Sequence, residues 1–255
     1  MVPMTSPQIP TAPRSILITG VSAGIGLGLT RECLKTGCRV YGLSRRQPPF
    51  QKSPEFRFEP CDLGDDSAIA PAIRRLLEGA AHLDLVILNA AVLGQFGDLT
   101  TQSVTELQRM MQINVWSNKT ILDTLFAMGI TIRQVTLISS SAAIHLQRGW
   151  GGYAISKAAL NAFTRLVAQE YPETHFNAVA PGTVDTDMQV QLRSLPLDPR
   201  FPSLEKLRAK QGTADMPSGD DYARQMLDGL MRLPESTASG EYIDLRTLPA
   251  SSSQT

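Results

Sequence analysis

Ser15-Ile16-Leu17-Ile18-Thr19-Gly20-Val21-Ser22-Ala23-Gly24-Ile25-Gly26-Leu27-Gly28 takes an apolar, partly β-branched run through a glycine-rich turn into a helical stretch ending near Lys35. A short run of this kind, stopped by Gly20, reads as a strand buried on both faces of a parallel sheet. Glycines let the backbone approach a pyrophosphate, and the helix start behind them offers free N–H groups and a favourable dipole. Strand, turn and helix in that order predict a phosphate cradle, with Gly20, Ser22, Gly24, Ile25 and Gly26 as its candidate residues. A glycine turn kept only for tight packing is the competing reading.

Strand-like runs recur outward from this point. Residues 37–43, 56–61, 83–88, 134–138, 176–180 and 239–245 are apolar or alternating, and several are separated by stretches with helical patterning. The expected fold is α/β, a Rossmann-type doubly wound parallel sheet of about seven strands with helices on both faces. After Asp62, the residues Ala68, Ile69, Ala72, Ile73, Leu76 and Leu77 share one helical side, away from Arg74, Arg75 and Glu78, as a helix packed on a sheet requires. Residues 103–128 read as one long helix with Val104, Leu107, Met110 or Met111 and Val115 inward and Asn114 within it.

Open α/β sheets bind ligands off the C-terminal ends of their strands. The second strand ends in Ser44-Arg45-Arg46. An acid there would bind the ribose hydroxyls of a dinucleotide and repel a 2′-phosphate. A hydroxyl and two guanidiniums suit that phosphate instead, with a solvated basic loop as the alternative. Asp62, followed by Leu63, is a candidate acceptor for an adenine amino group or a cap for the next helix, and the two roles can coexist. Asn89 ends the fourth strand, where an amide either ties neighbouring strands or lines the cofactor crevice.

Gly149-Trp150-Gly151-Gly152-Tyr153-Ala154-Ile155-Ser156-Lys157 sets a phenol and an ammonium four residues apart. In a helix both leave the same face. A neighbouring positive charge favours the phenolate, so Tyr153 is expected to be more acidic than a free phenol and to donate protons near neutral pH. Ser140 ends the fifth strand, where a hydroxyl can steady the oxygen of a substrate carbonyl. A tyrosine and a lysine on a solvated helix face are the plainer alternative.

Composition narrows the classes. A chain of 255 residues with 42% hydrophobic content suits one α/β domain with a sizeable core. Lys plus Arg equals Asp plus Glu at 24 each, so no net field draws in nucleic acid or an anionic membrane. No apolar run approaches the ~20 residues of a membrane span, and the N-terminus lacks a signal-peptide pattern. Cys33, Cys38 and Cys61 are scattered, which argues against a disulfide scaffold or a metal site and for a reducing cytoplasm. Residues 1–13 and 247–255 are expected to be flexible tails around a single domain, 14–246. Within it, Pro196, Pro199, Pro202 and Pro217 interrupt 187–219, and Met188, Leu192, Leu195 and Phe201 lack an evident core partner. That stretch is expected to be a mobile segment covering a substrate pocket.

Thr19-Gly20-x-x-x-Gly24-Ile25-Gly26, Asn89-Ala90-Ala91, Asn114, Ser140, Tyr153-x-x-x-Lys157 and Pro181-Gly182-Thr183-Val184 follow one another in the order and approximate spacing of the short-chain dehydrogenases/reductases. The chain resembles that family over about residues 14–246. Residues 149–153, 181–189 and 239–244 are similar to its sepiapterin reductase and benzil reductase branch. The resemblance implies an NADP(H)-dependent carbonyl reductase that passes a hydride to a ketone or vicinal dicarbonyl. Tyr153 would be the general acid. Lys157 would lower its pKa and hold the nicotinamide ribose, Ser140 would donate to the carbonyl oxygen, and Asn114 would hold the water of a proton relay. Val184 and Thr186 would meet the nicotinamide carboxamide. Trp150, Met188 and Leu192 would wall the pocket. Asp244 would meet a pterin guanidine if the likeness to sepiapterin reductases extends that far, and otherwise ends its strand.

The family's pairing of helices 103–128 and 153–170 across a two-fold axis implies a homodimer or homotetramer. Two residues depart from the pattern. Ala91 stands where the family has glycine, and Ser22 where many NADPH-using members have a basic residue. The second departure leaves the phosphate preference to Arg45 and makes dual cofactor use more plausible. An NAD(P)-dependent alcohol dehydrogenase or ketoacyl-type reductase would use the same residues. From another class, a non-catalytic dinucleotide-binding sensor or interaction protein remains, against which the intact Ser140, Tyr153 and Lys157 weigh.

Overall fold

Ile16, Leu17 and Ile18 expose no surface, because β1 (Ser15–Thr19) has a strand on each side and helices on both faces. The computed structural model describes residues 15–248. Alongside β1 run β2 (Arg39–Ser44), β3 (Phe56–Pro60), β4 (His82–Leu88), β5 (Thr131–Ile138), β6 (His175–Ala180) and β7 (Glu241–Asp244). All pair in parallel, in the order β3-β2-β1-β4-β5-β6-β7. The order reverses between β1 and β4, and a crevice opens beyond the strand ends at such a switch point.

Strand side chains alternate between the two helical layers. Ile16 and Ile18 join the core under α1 (Gly24–Lys35) and α9 (Gly219–Ser236), with Leu29, Met226 and Leu230. Leu17 faces the opposite core, filled from α2 (Asp66–Leu76), α4 (Ser117–Ala127) and α6 (Gly151–Glu170) by Ile69, Leu122 and Leu160. Among the described residues no helix is long and apolar enough to cross a membrane. Cys33, Cys38 and Cys61 are buried.

Three local expectations need correction. The stretch expected to be one helix at 103–128 is α3 (Val104–Met111), a π-helical segment Gln112–Trp116, and α4. The π segment changes the phase of the inward face, and Val104 is 68% exposed rather than inward. Asp62 does not cap α2. Asp65 does, accepting from Ser67 N at 3.1 Å, while Asp62 Oδ1 accepts from Gly64 N in the preceding turn. The apolar residues of 187–219 do have partners. They belong to α7 (Asp187–Ser194), α8 (Pro202–Arg208) and the approach to α8, where Pro202 opens the helix instead of breaking it. Leu192 and Leu204 bury against Leu93, Met110 and Tyr153 in a third core cluster with Met188 and Leu195 at its edge. Phe201 sits edge-on to Phe96, ring centres 5.3 Å apart. These partners come from distant parts of the chain, so no local pattern announces them. The expected tails lie outside the described residues, apart from Thr247 and Leu248.

Candidate active site

β1, β4 and β5 end together, since Leu17 pairs with Val86 and Leu88 with Leu137. Asn89 ties two of these ends: its Nδ2 donates to Thr19 O at 2.9 Å and its N–H to Thr19 Oγ1 at 2.9 Å. It also lines a cleft of about 740 Å³ that runs along the strand ends. The same amide thus ties two strand ends and faces the cleft.

At the cleft's centre lies the glycine turn, with Gly20, Ser22, Gly24 and Ile25 in its wall. Gly20 has φ +78, a left-handed backbone suited to glycine. Gly26 lies just beneath, where a Cβ would come 2.3 Å from Gly20 O. The N-cap of α1, Ala23, provides no side-chain cap, so the first N–H groups of the helix are left for a ligand. Such a cradle fits the pyrophosphate of a dinucleotide.

At one end stand Ser44, Arg45, Asp62 and Leu63. The Ser44 hydroxyl donates to Arg46 O at 2.7 Å, and Arg46 lies 3.5 Å from Asp187. Arg45 is exposed and, among the described residues, has neither hydrogen bond nor ion pair. Its guanidinium is available to a 2′-phosphate, and the residues present fit NADP(H).

The other end is formed by Ser140, Trp150, Tyr153, Lys157, Val184, Thr186 and Met188. β5 delivers Ser140, whose Oγ accepts from Ala142 N at 3.1 Å and whose hydroxyl hydrogen-bonds the Tyr153 phenol. The first turns of α6 bring Tyr153 and Lys157 to the same wall. Thr186 precedes α7 without its hydroxyl capping the helix, which leaves that hydroxyl to the cleft.

The electrostatics differ from the expected acidic phenol. Burial pushes Tyr153 up to about 12, opposed by the hydrogen bond from Ser140, and pushes Lys157 down to about 7. No carboxylate accompanies the lysine. Its Nζ donates to Ile138 O at 2.6 Å and lies 5.7 Å from the centre of the Tyr153 ring. A cation that is itself near its titration point cannot hold a buried phenol acidic.

Two further site expectations shift. Leu192 is fully buried within the third cluster and does not wall the cleft. Asn114 lies behind the wall with both amide hydrogens engaged. It donates to Val92 O at 2.9 Å and Ser156 Oγ at 3.0 Å, and accepts from Val92 N at 2.8 Å. Its backbone oxygen accepts from Asn118 Nδ2 at 2.9 Å. The side chain is a tie between the end of β4 and α6. Asp244 is likewise committed, bound by the guanidinium of Arg246, and Arg246 is the one that faces the cleft.

The family model for short chain dehydrogenases matches residues 14–196. The chain belongs to the short-chain dehydrogenase family. It is 33% identical over 205 residues to YIR035C of Saccharomyces cerevisiae, an uncharacterized oxidoreductase, covering 77% of this chain and 80% of that one. The crystal structure of YIR035C matches with a TM-score of 0.78 at 27% identity, over 92% of this chain and 97% of that one. Benzil reductase ((S)-benzoin forming) of Bacillus subtilis is 27% identical over 241 residues, 90% of this chain and 97% of the relative. Sepiapterin reductase of Xenopus tropicalis is 32% identical over 253 residues, 89% and 94%. Within the short-chain dehydrogenases, the chain sits in the sepiapterin and benzil reductase branch.

Several lining residues escaped the sequence reading: His145, Gln189, Lys206, Lys210 and Arg246. Ser203, Lys206, Leu207 and Lys210 recur at helical spacing, a signal that was present but masked by the neighbouring prolines.

Proposed function

We propose that this short-chain dehydrogenase is an NADPH-dependent carbonyl reductase acting on a ketone or vicinal dicarbonyl. One observation carries the reading: Ser140, Tyr153 and Lys157 line the same cleft as the glycine turn and the unpaired Arg45. The names of the benzil and sepiapterin reductases among its relatives support it. NADPH, when bound, supplies the hydride.

The chain's own residues handle the proton and the oxygen. The substrate oxygen accepts from the Ser140 hydroxyl and the Tyr153 phenol, which meet negative charge as it develops. With its pKa pushed up to about 12, Tyr153 is protonated at neutral pH and has a proton to give. Giving it leaves a phenolate, and that charge favours protonation of Lys157, which stands near its midpoint at pH 7. Asn114 is a positioning residue that holds the backbone at Val92 and the hydroxyl of Ser156, which in turn bonds Tyr153 O at 2.8 Å. Val184 and Thr186 orient the nicotinamide carboxamide, and Trp150 and Met188 bound the substrate.

NADPH oxidation against benzil, sepiapterin, a β-ketoacyl thioester and a simple aldehyde tests this function. Turnover of a dicarbonyl is expected. NADPH binding with no turnover of any of them would favour the sensor reading. The protein is further proposed to pair with a second copy through α3, α4 and α6. Val104, Trp116, Ile155 and Leu166 expose large apolar surface there, and light scattering should give a mass of two or four chains.

A further inference from the structure

We propose that the substrate carries an anionic group alongside its carbonyl, and that Lys206 on the covering helix α8 and Lys210 in the turn that follows it bind it. The inference rests on the reductase reading above and narrows its substrate class.

The cleft is cationic although the chain is neutral. Arg45, Arg46, Lys157, Lys206, Lys210 and Arg246 line it, against two carboxylates, Asp62 and Asp187. Several of these cations already have work. Arg45 and Arg46 stand at the adenosine end, Lys157 is buried beside Tyr153, and Arg246 is neutralised by Asp244. Lys206 and Lys210 have no hydrogen-bond or ion-pair partner for their ammonium groups among the described residues.

Position on the covering segment assigns these two to the substrate end. Ser203, Lys206 and Leu207 fall at i, i+3 and i+4 on one stripe of α8, Lys210 follows in the turn just past its C-terminus, and all four line the cleft. The stripe is fixed at its start. Trp150 Nε1 donates to Ser203 Oγ at 2.9 Å, and the Trp150 ring lies 6.1 Å from that of Tyr153. The two lysines thus extend along the covering segment from the point where the proton donor stands. Asp62 is at the opposite end of the cleft, and Asp187 is turned to Arg46. With no ion-pair partner among the described residues, two ammonium groups lining the cleft of a carbonyl site attract an anion, a carboxylate or phosphate on the molecule being reduced.

Phenylglyoxylate and its methyl ester present the same ketone with and without a negative charge. Their kcat/KM values are measured with NADPH for the wild type and for Lys206→Ala/Lys210→Ala, and the acid-to-ester ratio is compared, which cancels intrinsic reactivity. The ratio should fall about tenfold in the double alanine variant and stay near wild type in Lys206→Arg/Lys210→Arg, and added salt should lower it in the wild type and the arginine variant more than in the double alanine variant. An unchanged ratio in the double alanine variant, or no reduction of the acid by the wild type while the ester is turned over, overturns the proposal and leaves the reductase reading standing. A raised KM for NADPH with an unaltered ratio overturns it too, by assigning the lysines to the cofactor. Failure of both ketones and of benzil would instead sink the reductase reading.

Discussion

Lys157 Nζ points at the backbone oxygen of Ile138, 2.6 Å away, while standing 5.7 Å from the centre of the Tyr153 ring. The pair share one wall of the cleft, yet neither is salt-bridged. Both are buried, and desolvation disfavours whichever form is charged. The phenol is therefore held protonated and the amine is held close to neutrality. This is a donor with its proton in place and a neighbour poised to gain one. It is not a phenol ionised in advance.

Tyr153→Phe removes the proton donor while keeping the ring in its place among Leu93, Met110 and Leu192. Turnover of benzil should fall by roughly 10²–10⁴, with NADPH affinity and melting temperature little changed. Near-normal turnover would mean that another group protonates the oxygen.

The buried lysine also predicts a pH dependence of stability. Its folded-state pKa is about 7 against an ordinary 10.5. Between those values the unfolded chain binds a proton that the folded chain does not. Stability therefore rises with pH across this window and is lost as pH falls through 7. Tyr153 acts the other way, and only at higher pH. Its pKa is raised from 10 to about 12, so stability is lost as pH climbs over that interval. Without cofactor, the wild type should gain roughly 2–3 kcal/mol relative to Lys157→Met between pH 7 and 9.5. Urea unfolding at both pH values measures it. A constant difference would show that the ammonium has a counter-charge in the folded protein.

How legible the site was depended on whether a function lies in a local pattern. The run from Ser15 to Gly28 could be read directly, because strand burial, a left-handed glycine and an open helix start all involve neighbours in sequence. Tyr153 and Lys157 were legible for the same reason, being one helical turn apart. The raised pKa of Tyr153 was not, since its burial is set by the third cluster, assembled from β4's following loop, α3, α6, α7 and α8. The same cluster claimed Leu192, which therefore left the pocket wall. Asn114 was found by family spacing, but its role as a tie follows from Val92 and Ser156, which no spacing rule connects.

Arg45→Asp should reverse the preference between NADPH and NADH. Arg45 has no partner to lose among the described residues, so the change should act on the ligand with little effect on the fold. A charge-assisted contact to phosphate is worth about 1.5–3 kcal/mol, which makes the expected change in the kcat/KM ratio on the order of tenfold to a hundredfold, with charge repulsion adding to it. Equal use of both cofactors before and after the substitution would assign the 2′-phosphate elsewhere, Ser22 included.

Two of the three glycines of α1, Gly26 and Gly28, separate packing from ligand binding. At Gly28 a methyl group would come 2.2 Å from Gly219 O, so the α1–α9 crossing would have to open along two backbones that have no rotamers to adjust. Gly28→Ala should cost about 1–3 kcal/mol of stability or more, seen as a lower urea midpoint. At Gly26 the methyl group would meet Gly20 O at 2.3 Å and Asn89 Nδ2 at 2.7 Å. The disturbance there falls on the turn that faces the cleft and on the amide that ties β1 to β4. Gly26→Ala should therefore weaken NADPH binding, by fluorescence titration, more than its loss of stability would suggest, while Gly28→Ala should show the opposite balance. If the two variants bound NADPH equally well, the glycine turn would be serving the packing of the fold and not a pyrophosphate.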